Sequence, residues 1–171
     1  MKKTIYSCIA ILIIVLPLFL LLRSCTVLLR SCTVSNRQPD EDDLEQYLDE
    51  NNDDFNTVLD YLLNQNGRVH FEYDGINFEN WFDTELPNDV KSAIIRLKRH
   101  NRIIVMKSGN TILIELWHPF MRELSCGLAY SINGSDEPVV EYATEMTPLS
   151  EPGWYYYVDD FNTWRAEQDP A

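Results

Sequence analysis

Cysteine and histidine are scarce in this chain, and their placement excludes much chemistry. Of four cysteines, Cys8, Cys25 and Cys32 lie in or beside an N-terminal apolar run, so Cys126 is alone in the rest. No disulfide can close within residues 40–171, and no cysteine cluster can hold a metal there. The only imidazoles are His70, His100 and His118, and none sits in an H-E-x-x-H. A G-x-S-x-G and a Gly-rich phosphate loop are also missing. No cofactor and no metal is expected, and the balance falls against an enzyme.

Bases are scarce where acids abound. Residues 1–37 hold five of the 14 Lys and Arg and no acid, leaving nine bases against all 27 acids, a formal charge of −18. Such a surface repels nucleic-acid phosphate and anionic lipid, which argues against a nucleic-acid partner. Acidity alone also serves solubility; its sharper reading is a cationic protein partner.

What the chain does have begins with its leader. Lys2 and Lys3 precede an uncharged apolar run from Ile5 to Leu22, which at about 1.5 Å per residue spans roughly 27 Å as a helix. That is long for a cleaved signal, so residues 1–23 read as a signal anchor of bacterial type. The alternative is a lipoprotein-type signal, because Leu22-Arg23-Ser24-Cys25 places a small residue before a cysteine, although Arg23 fits poorly. The heptapeptide LLRSCTV recurs at Leu28–Val34 and offers Cys32 as a second lipidation candidate. Residues 24–39 form a tether carrying this duplication. A short basic lead before an apolar segment directs export of the downstream chain, which puts the domain outside the cytoplasmic membrane.

Residues 40–171 read as one acidic α+β domain with a mainly antiparallel sheet. Its centre is a hairpin over about 102–118, where Ile103–Val105 and Thr111–Leu116 flank Ser108-Gly109-Asn110. Apolar residues on successive positions predict burial of both faces, with a helix or second layer on each side. Leu44, Leu48, Phe55, Val58, Leu59 and Leu62 follow helical spacing, interrupted at Asn51–Asp54, so one long helix or two jointed ones should close at Gly67. Asp74-Gly75 predicts a second, half-exposed hairpin. Asn88 or Asp89 should cap a helix carrying Val90, Ala93, Ile94 and Leu97. Lys91, Arg96, Lys98, Arg99 and Arg102 cluster near its end, and neutralising the acidic N-terminal helix internally is their favoured role. Strands are expected over Leu124–Ile132, where Gly127 permits a bulge or close approach, and over Trp154–Val158.

Three functional readings compete. The leading one is a membrane-tethered, extracytoplasmic protein-interaction module of inhibitor or immunity type for a cationic partner. The second is a cell-envelope glycan binder that uses Trp154, Tyr155, Tyr157 and Trp117 as a stacking platform, against the plainer reading of packed aromatics. The third is a hydrolase with Cys126 as nucleophile, His118 as base and an acid such as Asp159; a small core residue is the plainer role for Cys126. Asp49, Asn51, Asp53 and Asp60 fall at positions 1, 3, 5 and 12 of a calcium loop. Asp54 stands where that loop needs glycine, and Asp60 is too short for the bidentate position, so a solvated helix face is expected.

Overall fold

The computed structural model describes residues 37–82, 85–118, 124–134 and 136–162. The chain divides into two compact units, Met1–Arg37 and Gln38–Ala171. The expected anchor at residues 1–23, the duplicated heptapeptide, Cys25 and Cys32 lie outside the described residues. Among those described, no helix is long and apolar enough to cross a membrane.

Asp40 starts the first helix, α1 (Glu41–Glu50). Its carboxylate accepts from the Asp43 amide at 3.1 Å, while Asp43 accepts from the Asp40 amide at 3.3 Å, a reciprocal capping box. Asn51 is the joint, and α2 (Asn52–Leu63) follows; the interruption predicted at Asn51–Asp54 is therefore a break between two helices. Leu44 and Leu48 of α1 and Phe55, Val58, Leu59 and Leu62 of α2 are buried, at the i, i+3, i+4, i+7 spacing that puts them on one stripe. The third helix, α3 (Asn88–Leu97), buries Val90, Ala93, Ile94 and Leu97. Its N-cap is Pro87, with no side-chain cap, rather than Asn88 or Asp89. Proline's fixed φ supplies the entry geometry that a capping side chain would otherwise secure.

Seven strands form one antiparallel sheet: β1 (Val69–Tyr73), β2 (Phe78–Asn80), β3 (Ile103–Ser108), β4 (Thr111–Trp117), β5 (Leu124–Ser131), β6 (Ala143–Pro148) and β7 (Trp154–Asp160), in the order β2-β1-β3-β4-β5-β7-β6. The α+β class and the antiparallel sheet are as expected. The predicted hairpin is β3–β4, turning at Gly109-Asn110 with Gly109 at φ 58°, and it occupies the middle of the sheet. The β1–β2 loop is wider than its Asp-Gly pair predicts, since Tyr73 pairs with Phe78. Asp74 accepts from the amides of Ile76 and Asn77, both at 2.7 Å, closing a four-residue loop that competes with the tight turn.

Alternation divides the strands into two faces. Val69, Phe71, Ile103, Val105, Ile112, Ile114, Leu128, Trp154, Tyr156 and Val158 share one hydrophobic cluster with all three helices. Phe55 meets Trp154 edge-on at 5.7 Å, and Tyr61 meets Phe71 at 6.3 Å. Lys107 lies on this face, and its ammonium donates to the carbonyls of Leu62 and Gln65 at the end of α2 at 2.8 and 2.7 Å, satisfying acceptors that a helix C-terminus leaves open. The other face holds buried Ile104, Ala129 and Tyr157 outside that cluster. Among the described residues no helix or second sheet covers it. Both faces are buried at the hairpin as predicted, but a helix layer lies on one side only.

Candidate functional site

The helix-free face is not a plain apolar surface. Register aligns Glu72, Ile104, Glu115, Gly127 and Tyr157 across five strands, with Ser125 opposite Asp159 beside them. Glu115, Ser125, Tyr157 and Asp159 are all buried. Arg102 donates to Glu72 at 2.7 Å and approaches His118 Nδ1 at 3.4 Å. Because a guanidinium can only donate, that contact turns the Nδ1 lone pair toward Arg102 and leaves the proton on Nε2. His118 Nε2 is in contact with Glu115 Oε1. A continuous polar seam thus runs Glu72, Arg102, His118, Glu115, with Tyr157 and Asp159 beyond.

Electrostatics in the seam favour bound protons. Burial, reinforced by the neighbouring Asp159 and Glu72 charges, pushes the Glu115 carboxyl up to about 8, against the opposing pull of Arg102 and the Ser125 hydroxyl. Burial alone raises Asp159 to about 6. The Tyr157 hydroxyl, fully buried, is held far above the ordinary phenol value, first by burial and then by the Glu115 charge. Among the described residues, Tyr157 OH and Asp159 Oδ1 have no hydrogen-bond partner. Gly127 is required here: a Cβ would lie 2.9 Å from the Glu115 Cα and closer still to the Ile114 carbonyl oxygen. Of the bulge or close approach expected at Gly127, the close approach is what occurs there; the bulge lies in β4, where the register shifts by one residue between Glu115 and Trp117.

The sequence-predicted site residues divide between the faces. Cys126 lies under the helices, fully buried, with Sγ 3.9 Å from the Pro39 carbonyl oxygen; burial first, then the Glu115 charge, pushes its thiol up to about 12. His118 and Asp159 belong to the opposite face. Nothing therefore brings the Cys126 thiol and the His118 ring together as nucleophile and base. Trp154 and Tyr156 pack under the helices, Trp117 is buried, and Tyr157 is enclosed in the seam; of the four aromatic candidates only Tyr155 is partly exposed. They are core and seam residues spread over two faces, not one stacking platform. The calcium-loop positions fall across the joint and into α2, so Asp53 and Asp60 are on a continuous helix and no loop forms around a cation.

Sequence reading passed over Glu115 and Ser125 and gave Glu72 and Arg102 no part in a site, Arg102 being counted only in the basic cluster. Glu115 carried the signal: an acid inside the run TILIELW, three residues before His118.

Three bases of the cluster after α3 make side-chain contacts. Arg96 grips Asp54 of α2 through three contacts of 2.6 to 3.1 Å, Arg99 lies over the Tyr47 ring at 5.0 Å, and Arg102 is in the seam. Of these three, Arg96 pairs with an acid of the N-terminal helices, the internal neutralisation favoured from sequence, whereas Arg102 pairs with Glu72 of β1. Residues 38–67 contain ten acids and no Lys or Arg. Two shallow recesses open among them: one of about 350 Å³ at the α1–α2 joint, lined by Asp49, Glu50, Asp53 and Asp54, and one of about 500 Å³ lined by Asp40, Glu41, Asp42, Glu145 and Tyr156.

No protein-family profile, curated protein or solved structure matches this chain.

Proposed function

We propose that this chain is a membrane-tethered, extracytoplasmic domain that binds a cationic protein, as an inhibitor or immunity-type protein would. Residues 5–22, or a lipid on Cys25 or Cys32, would hold it at the membrane. One observation carries the binding half of this reading. The α1–α2 surface has ten acids in 30 residues with no base among them. Asp54 is paired with Arg96, and Asp43 and Glu45 accept from backbone amides. Asp42, Asp49, Glu50, Asp53 and Asp60 are exposed. Such one-signed surfaces steer an oppositely charged partner and raise its association rate.

The test is retention by the full chain, held in neutral detergent, across a salt series. A basic protein should be retained at low salt and lost as screening shortens the Debye length from roughly 10 Å toward 3 Å. Exchanging Asp49, Glu50 and Asp53 together for Asn, Gln and Asn should slow association about tenfold with little change in stability, because these groups are exposed. Retention of polysaccharide alone, unchanged by salt, would refute the reading.

A further inference from the structure

We propose that the helix-free face carries, at its β2 end, a binding site for an arginine side chain, built from the Trp81 ring and the Glu79 carboxylate. The site lies across the sheet from the α1–α2 surface and stands independently of the reading above. Of the described tryptophans, Trp117 and Trp154 are buried and Trp81 is 63 % exposed. Exposed as it is, Trp81 is firmly held. Its amide donates to the His70 carbonyl at 3.3 Å, carrying the β1–β2 ladder one step further, and its ring lies flat on the His70 imidazole, with centroids 4.2 Å apart and planes within 5°. His70 alternates with Val69 and Phe71 of the helix-side core, so the stack is on the helix-free face. One side of the indole is thus covered and its orientation fixed, which leaves the other side to solvent.

Charge beside the ring is unbalanced. Glu79 stands directly opposite Glu72 in the β1–β2 register, two residues before Trp81 and therefore on the same face. Like charges so placed are destabilising. Arg102 relieves only one of them: it donates to Glu72 at 2.7 Å and turns its other edge toward His118 at 3.4 Å. The exposed Glu79 carboxylate makes no hydrogen bond or ion pair among the described residues. A cation from outside that paired with it would remove the repulsion. The indole face attracts the same charge, being the negative end of the ring quadrupole, and His70 does not supply a cation from behind. Burial, opposed by the Glu72 charge and helped by that of Arg102, holds the His70 imidazole below its ordinary value. Its buried Nε2 has no hydrogen-bond partner among the described residues, which an imidazolium, donating at both nitrogens, would need.

Ring and carboxylate together select the kind of cation. Side chains two apart on a strand are separated by roughly 7 Å, so one group must lie on the indole and still reach the carboxylate. A guanidinium does both, because it is planar, weakly hydrated and offers a row of N–H donors along its edge. A lysine ammonium is a compact, strongly hydrated point charge and stacks poorly. A quaternary ammonium is recognised by a cage of several rings, whereas a single exposed ring stands here. A neutral sugar can stack on the indole, but it leaves the Glu79 and Glu72 charges facing one another.

The test uses the full chain in neutral detergent at physiological ionic strength, titrated with end-blocked glycine peptides that carry one central arginine, lysine or citrulline, and with chitohexaose as a neutral sugar. Binding is followed by the indole N–H resonance of Trp81, assigned by its loss in Trp81→Ala. The arginine peptide should move this resonance and bind several-fold more tightly than the lysine peptide and at least tenfold more tightly than the citrulline peptide, its uncharged isostere. Glu79→Gln should weaken the arginine peptide at least fivefold. Trp81→Ala, read from the backbone amides of Glu79 and Asn80, should do the same, while Trp81→Phe keeps a ring and part of the affinity. Residues 79 and 81 are exposed, so the urea midpoints of these variants should stay near wild type. Equal binding of the arginine and citrulline peptides, unchanged binding in Trp81→Ala, or no response to the arginine peptide would overturn the site and leave the α1–α2 reading standing, since that surface does not include Trp81. A resonance moved by chitohexaose and not by the arginine peptide would overturn it in favour of a sugar platform.

Discussion

Raising the pH should weaken this fold across the neutral range, and the cause is a single buried carboxyl. Glu115 titrates near 4.5 in an unfolded chain and near 8 in the seam. Between those values the folded protein binds a proton that the unfolded protein does not. Stability therefore falls as pH rises, by about 1.4 kcal/mol per pH unit. The contribution is fully present below about 4.5 and is lost once the folded group ionises above about 8. Summed over the window, the change is on the order of 4 to 5 kcal/mol, a large share of the roughly 5 to 15 kcal/mol that holds a typical domain together. Asp159, raised from 3.8 to about 6, acts with the same sign in the lower part of the window. Because it is coupled to Glu115, the two do not simply add.

Urea unfolding of the full chain in neutral detergent, followed by tryptophan fluorescence, measures this directly, since Trp117 and Trp154 are buried. With a slope of about 2 kcal/mol per molar urea, the midpoint should fall by about 2 M between the ends of the window. Glu115→Gln keeps the shape and a carbonyl oxygen toward His118 but cannot ionise, so its midpoint should be nearly flat over the upper half of the range. A wild-type midpoint that rises with pH, or parallel slopes in wild type and Glu115→Gln, would refute the reasoning.

Alkylation of Cys126 should be slow in the native protein even at mildly alkaline pH and fast after unfolding, because the thiolate is the reactive form and burial suppresses it; rapid native labelling, followed by intact mass, would place the thiol outside the core. Gly127→Ala should destabilise by about 3 kcal/mol or more, because the added methyl meets β4 backbone that cannot move without breaking the ladder; a melting temperature within a few degrees of wild type would show that β4 and β5 are not so close. Lys107→Met keeps the apolar stem but strips the Leu62 and Gln65 carbonyls of their donor, and should cost about 2 kcal/mol in urea unfolding.

Periodicity made the architecture readable and the seam nearly invisible. The apolar positions of α1, α2 and α3 and the β-branched runs of β3 and β4 each bury against one another in the way their spacing requires. Asp74-Gly75 misled about loop length because the Asp74 carboxylate can bond two amides of its own turn, and residue type does not announce which option prevails. A helix or second layer on each side of the central hairpin was inferred from burial of both faces. Burial on the second face instead involves polar residues of neighbouring strands, and only register reveals that Glu72, Glu115 and Tyr157 are aligned. Pairing of distant strands also decided the fate of Cys126 and His118: they are eight positions apart in sequence, yet the faces on which they lie are fixed by partners on other strands.

The strand order has a consequence for how the domain is assembled. Every ladder joins residues no more than 38 positions apart, the widest being Val69 with Lys107. The sheet can therefore zip up from neighbouring segments as the chain emerges, with little loop-closure entropy to overcome at any step. The exception is at the amino end. Pro39 accepts from the Tyr156 hydroxyl at 3.2 Å, and Glu45 accepts from the Ser150 amide at 2.8 Å, across more than 100 residues. The Pro39 contact cannot form until β7 has been made, whereas Tyr47 of α1 reaches Phe55 and the Leu97 carbonyl, both earlier in the chain. For a chain delivered from its amino terminus, the segment that enters α1 therefore gains its last partner only when β7 is complete.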